Sequence, residues 1–324
     1  MENKVVRRTN IFKKLFALKE SSIIIPTLLL VIIVEIINPV FLSGNNVINI
    51  LRSSSYTLIA ALGMTFVMIS GGIDLSVGSV VALGGVICGF SMQLGIPIFL
   101  SILLGLISGL IVGLINGLII VKFKIAPLMM TLGTMYIARG VVYVLTEGAP
   151  VYPLPKAFEQ IEQSYFLYIP TICWVSFILA IMAHFLLSNT TFGRSIYAIG
   201  GNSEAARLSG IKVQKIKYLI YTITGIFCAL TGIFQASRLG SAQAGAGTGF
   251  ELAVIAAVVI GGTSTFGGIG TILGTVVGVI FTNMLSNSMT ILKISIFWQT
   301  LAVGLILVIA VILDGYKREK SKAI

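Results

Sequence analysis

The sequence predicts an all-α, polytopic helical membrane protein with about ten transmembrane helices and both termini cytoplasmic. Three observations carry this. First, charged residues make up 10% of the 324-residue chain and apolar types 56%. A soluble domain has roughly 25% charged residues to cover its surface, so a soluble enzyme and a disordered chain are both excluded. Second, the apolar runs are continuous, whereas barrel strands alternate apolar and polar residues. Lipid offers the backbone no partners, and a helix satisfies its own. Third, the basic residues gather in alternate loops, the pattern of cytoplasmic loops.

Residues 1–21 form a basic tail with Lys4, Arg7, Arg8, Lys13, Lys14 and Lys19. The transmembrane domain covers 22–313, and a second basic tail covers 314–324. The first two spans are expected at about 22–41 and 50–70, followed by the glycine-rich break GGIDLSVGS. A short third span runs from that break to about Met92, and the fourth covers about 96–121. The fifth span covers about 126–145, a polar segment covers 146–166, and the sixth span ends near Leu187. The longest internal polar stretch, 188–217, precedes spans at about 218–236 and 251–260. A second break, GGTSTFGG, leads to spans at about 269–285 and 294–313.

The charges test this arrangement. One side holds both tails, Lys122, Lys124, and Arg194, Arg207, Lys212, Lys215 and Lys217 of the long loop. The other holds Arg52, Lys156, Arg238 and Lys293, while Arg139 falls inside span five. The formal charge of +11 is therefore read as a cytoplasmic excess, and nucleic acid is not expected as a partner. At one constant offset, Gly71, Gly72, Gly78 and Gly84 align with Gly261, Gly262, Gly268 and Gly274. This is either an internal repeat of the kind found in transporters or coincidence in a chain with 35 glycines.

No P-loop, H-E-x-x-H, G-x-S-x-G or C-x-x-C motif occurs. Cys88, Cys173 and Cys228 lie in apolar segments without metal-ligand spacing. No catalytic set and no metal site is expected, and His184 is read as a packing or interfacial residue. Ionisable groups within spans are functional candidates by default. Arg139 either snorkels or pairs with a carboxylate. Asp74, beside Ser76 and Ser79, either caps the following helix or lines a solute path. In the long loop, Asn202 or Ser203 is expected to cap a short helix from Glu204 to Ser209 that Gly210 ends.

Three stretches resemble ribose-type sugar permeases of bacterial ABC importers: GGIDLSVGS (71–79), GRSIYAIGGNSEAARLSGIKV (193–213) and GTGFELAVIAAVVIGGTSTFGGIGTILGT (247–275). They occur in order, within a resemblance that runs from about Phe41 to the C-terminus. The E-A-A-x-x-x-G pattern from Glu204 to Gly210 also resembles the coupling motif of ABC permeases more broadly.

The resemblance implies a permease subunit of the bacterial plasma (inner) membrane, paired with a second copy. It implies an ABC ATPase subunit that uses ATP and Mg, and an extracytoplasmic solute-binding protein. The coupling segment would comprise Gly193, Arg194, Gly200, Gly201, Asn202, Glu204, Ala205, Ala206, Arg207 and Gly210. Arg52, Arg238 and Lys293 would meet acidic residues of the binding protein. For the pathway or gate, Gly71, Gly72 and Gly78 leave room, and Asp74, Ser76, Asn116, Thr131 and Thr134 supply polar groups. Interhelical hydrogen bonding accounts for those polar residues equally well. The expected solute is ribose or a related monosaccharide, with autoinducer-2 or a nucleoside as variants of the same role. A stand-alone ion-coupled carrier is the alternative, and Asp74 is its best candidate relay. A membrane-embedded enzyme lacks a catalytic set.

Overall fold

The apolar runs form helices, and the breaks between them are as short as the sequence suggests. The computed structural model describes residues 21–322; most of the basic N-tail and the last two residues of the C-tail lie outside these. The helices are α1 (Ser21–Ile37), α2 (Gly44–Ile69), α3 (Val77–Gln93), α4 (Ile98–Phe123), α5 (Pro127–Thr146) and α6 (Lys156–Gln163). A hairpin of β1 (Tyr165–Phe166) and β2 (Ile169–Pro170) follows, antiparallel, with Tyr165 opposite Pro170. Then come α7 (Thr171–Asn189), α8 (Thr191–Gly201), α9 (Ser203–Leu208) and α10 (Val213–Leu239). The last three are α11 (Phe250–Ile260), α12 (Ile272–Ile291) and α13 (Ile296–Lys322).

Among the described residues seven helices are long and apolar enough to cross a membrane: α2, α4, α5, α7, α10, α12 and α13. Three shorter apolar stretches lie in α1, α3 and α11. At 1.5 Å per residue, α11 rises about 16 Å, roughly half the hydrocarbon thickness. Its residues Val254–Val259 are buried in protein, which is where a broken segment at membrane depth is tolerated.

The bundle is built around α10, which packs against α2, α3 and α4. Close approach depends on small residues. On α4, Gly105, Gly109, Gly113 and Gly117 recur every fourth position and form one ridge. A Cβ on Gly109 would lie 2.2 Å from the Gly225 carbonyl oxygen, and one on Gly113 the same distance from that of Tyr221. The two helix backbones therefore touch, the packing by which membrane helices gain dispersion contacts without a hydrophobic drive. The C-terminal half of α2 is buried almost continuously, from Ser54 to Ile69 with the single exception of Leu58. The spanning window of α13 buries none of its residues within the chain.

Some sequence expectations are corrected. The long loop holds two helices: α8 was not foreseen, and α9 matches the expected short helix. The polar segment after α5 leads through the amphipathic α6 and the hairpin, so the sixth span begins at Thr171 rather than near Phe166. The last helix continues to Lys322, past the expected boundary at 313. Arg139 turns into the protein: its Nη1 donates to the carbonyls of Ala244 and Ala246 at 2.9 and 2.7 Å, and it interacts electrostatically with Glu251 without forming a salt bridge. Asp74 does not cap α3. Ser76 is the residue at the cap, and Asp74 Oδ1 accepts the Ser76 N–H at 2.9 Å in a turn ahead of the helix.

Candidate functional site

A cavity of about 330 Å³ opens between α2, α10, α11, α12 and α13. Its polar wall comprises Ser53 and Thr57 of α2, Gln235 of α10, and Thr282, Asn283 and Ser286 of α12. Phe250, Ile260, Val303 and Ile306 supply apolar surface. No lining residue carries a charge. The hydroxyls are partly satisfied along their own helices. Thr57 Oγ1 donates to Ser53 O at 3.2 Å, and Thr282 Oγ1 to Gly278 O at 3.0 Å. Such back-bonding uses the hydroxyl proton and leaves oxygen lone pairs toward the space. Asn283 Nδ2 donates to Val279 O at 2.9 Å, with its Oδ1 at 3.5 Å from Thr57 Oγ1.

The polar residues expected to line a pathway lie elsewhere. Thr134 Oγ1 donates to Asn116 Oδ1 at 2.6 Å, and Asn116 Nδ2 donates to Ser76 Oγ at 3.0 Å. Ser76 Oγ donates to Asp74 Oδ1, and Leu75 N donates to Thr131 Oγ1 at 3.0 Å. All five side chains are buried, and none touches the cavity. The structure thus brings Asp74, Ser76, Asn116, Thr131 and Thr134 together as a closed network joining α4 and α5 to the first break. Gly72 packs under the Tyr221 hydroxyl, Gly78 under the Gly247 carbonyl, and Gly71 near Gly267. Gly78 thus permits contact between backbones and Gly72 makes room for a side-chain hydroxyl, while Gly71 is exposed at φ +81°.

The long loop presents an exposed turn. The Asn202 side chain accepts the N–H groups of Glu204 and Ala205, both at 3.0 Å. Gly210 ends the segment at φ +85°, a conformation that favours glycine. Glu204 and Arg207 pair across one turn, with Nε to Oε2 at 3.1 Å. The Arg207 guanidinium beside Glu204 holds its carboxyl below the usual range. Arg194, Glu204, Ala205, Arg207 and Leu208 are exposed, while Gly193 and Ala206 are buried.

At the opposite end, Arg52 has a partner within the chain. Its Nε lies 2.9 Å from Glu162 Oε1, which also accepts the Tyr56 hydroxyl at 2.8 Å. Arg52 Nη2 donates to the Tyr165 hydroxyl at 3.3 Å. Burial pushes the Glu162 carboxyl up, against the pull of Tyr56 and Arg52. This side chain pins α6 to α2, so Arg52, expected to meet the binding protein, has a carboxylate partner within the chain. Arg238 is half-buried and Lys293 is exposed.

Two groups of residues were missed from sequence. The Arg52–Glu162 pair joins positions 110 residues apart and had no local signal. The polar face of α12, Thr282, Asn283 and Ser286, was visible as a stripe at helical spacing in an apolar run. Among the described residues no group of three or more His, Cys, Asp or Glu side chains is placed to hold a metal ion.

Comparison with known proteins gives a consistent set. Residues 46–312 match the family described as branched-chain amino acid transport system / permease component. A ribose import permease protein of Haemophilus influenzae is 43% identical over 306 residues, covering 93% of this chain and 95% of that protein. One from Bacillus subtilis is 45% identical over 291 residues, covering 89% and 90%. An L-arabinose transport system permease protein of Escherichia coli is 41% identical over 264 residues, covering 82% and 80%. No solved structure matches the chain.

Proposed function

We propose, since the chain belongs to the branched-chain amino acid transport system / permease component family, that its cavity is this subunit's share of a sugar pathway. The chain is the permease subunit of an ABC importer for ribose or a related sugar, a multi-pass protein of the inner membrane. Hydrolysis of ATP with Mg belongs to a separate subunit, and a binding protein delivers the solute.

One observation carries the sugar reading: the cavity wall offers hydroxyl and amide groups and no charge. A zwitterionic amino acid requires opposite charges or focused dipoles at its two ends. A neutral polyol requires only donors and acceptors. Similarity to ribose and L-arabinose permeases supports the same class.

The seven long helices and the three shorter apolar stretches make ten passes, with both termini cytoplasmic. The transmembrane domain is 22–313, between a basic N-tail and the cytoplasmic extension of α13. In this topology Ser53, Thr57, Asn283 and Ser286 lie in the outer half of the membrane, and the long loop is cytoplasmic. The exposed face of α9, with Glu204, Arg207 and Leu208, receives the ATPase. Arg238 and Lys293 face the binding protein. A second copy completes the pathway opposite the cavity, and lipid covers the remaining apolar faces. The burial of Asp74 in a closed network argues against a role as an ion relay in a stand-alone carrier.

The test is ATP hydrolysis in nanodiscs holding this chain and its partner ATPase, titrated with loaded binding proteins. Stimulation by a ribose-type binding protein is the expected result. Solute uptake by this chain alone, with no ATPase bound, would overturn the reading.

A further inference from the structure

Three stretches of backbone meet with no side chain between them. They are the C-terminus of α2 (69–71), the C-terminus of α8 (200–201) and the second glycine-rich break (267–270). Gly268 N donates to Ile69 O at 2.8 Å, so the break closes onto the last turn of α2 by a main-chain bond. A Cβ on Gly200 would lie 1.7 Å from Ile69 O and 2.4 Å from Gly268 N. The end of α8 is thus wedged against that bond, where only glycine fits. One turn earlier on α8, the Tyr197 hydroxyl donates to Gly270 O at 2.7 Å. Ile196 and Ile199 anchor the same face of α8 in the core. The break is also held from α13: Asp314 Oδ2 accepts Ser264 Oγ at 3.0 Å, and Thr265 N and Oγ1 at 2.9 Å.

The elements leaving this junction are the walls of the cavity. From Ile69, α2 leads to Thr57 and Ser53. From Gly270, the chain enters α12, which carries Thr282, Asn283 and Ser286. Helices are stiff on this scale, and close-packed interiors transmit displacement because they have no slack to absorb it. Contact between backbones has even less slack than contact through rotatable side chains.

We propose that the Gly200–Ile69–Gly268 junction is the mechanical link through which α8 moves the cavity walls, with Tyr197 as a positioning residue. This rests on the reading of α8 and α9 as the ATPase-coupling segment. Movement of α8 shifts Ile69 and Gly268 together, and so shifts α2 and the N-terminus of α12 in one step.

The test uses the full chain with its ATPase in proteoliposomes, supplied with loaded binding protein. Three quantities are read: ATPase retained on purification, ATP hydrolysed, and solute carried per ATP. Gly200→Ala is expected to retain the ATPase and hydrolyse ATP while losing most solute carried per ATP. Tyr197→Phe keeps the ring and removes one hydrogen bond. Its expected effect is about a five-fold drop in solute per ATP, the weight of one such bond. If Gly200→Ala does not fold, Tyr197→Phe decides. Wild-type solute per ATP in the folded variants, with ATPase bound, would overturn the proposal. Loss of ATPase from Tyr197→Phe would also overturn it, by making the junction a docking surface. If the unaltered chain retains no ATPase, the coupling reading itself fails, and this is seen before any variant is made.

Discussion

The molecule holds two polar regions among its apolar helices, and they differ in where their hydrogen bonds end. In the network of Thr134, Asn116, Ser76 and Asp74, each group donates to the next. The chain of bonds ends on the buried Asp74 carboxylate and joins α4 and α5 to the first break. In the cavity, the hydroxyls of Thr57 and Thr282 bond back along their own helices. Their remaining capacity faces open space. Both regions use hydroxyl and amide side chains, and the network adds the carboxylate of Asp74. What separates an adhesive region from a pathway is unused hydrogen-bonding capacity beside a void. Polar groups with partners hold helices together, and polar groups without them are available to a solute.

Substitutions can break or sharpen this contrast. The largest effect on folding is expected from Asn116→Leu. It removes two buried hydrogen bonds across helices, while Ser76 keeps Asp74 and Thr134 keeps the Met130 carbonyl, a loss of about 2 kcal/mol. Thermal unfolding in detergent should show a large fall in Tm. Unchanged Tm would mean that the network contributes nothing to cohesion. Asn283→Leu should do the reverse. It leaves stability within about 1 kcal/mol, because its side chain borders a void, and lowers sugar uptake by about ten-fold or more through lost contacts and filled space. Uptake at the parent rate would remove the cavity from the pathway.

Variants outside both regions give a control. Glu204→Lys sets two cations side by side on α9, and Gly210→Asp places a Cβ at φ +85°. Each should reduce solute carried per ATP by about five-fold, through strain of about 1 kcal/mol at the coupling segment. Insertion and Tm should stay unchanged, and normal coupling in both would discard the assigned role. The smallest effect is expected from Asp74→Asn. The amide oxygen still accepts from Ser76, so stability should change by less than about 1 kcal/mol. Complete loss of transport in a folded Asp74→Asn protein would show that the charge itself is required.

Much of this fold was legible in sequence, because lipid restricts backbone to self-satisfied helices. Continuous apolar runs gave the helices, and glycine clusters gave the breaks at 71–79 and 261–268. The capped turn at Asn202 was readable from an acceptor side chain followed by Glu204 and closed by Gly210. The α8 helix was not, since glycines at 193, 200 and 201 depress its propensity. It is held by packing of Ile196 and Ile199 and by the close approach at Gly200. The pathway was read from residue type alone, and residue type does not separate Asn116, bonded across helices, from Asn283, which borders the cavity. Their difference lies in partners supplied by other helices. Arg52 shows the same limit, since its neutralising partner Glu162 arrives from α6, distant in sequence.

The central distinction is between a water-facing cavity and a closed network, and labelling by a membrane-impermeant maleimide measures it directly. Ser286→Cys and Thr134→Cys would each be compared in nanodiscs with the parent chain, whose own cysteines set the background. The account predicts that Ser286→Cys labels well above that background and Thr134→Cys does not. Rapid labelling at position 134 with protection at 286 would contradict it.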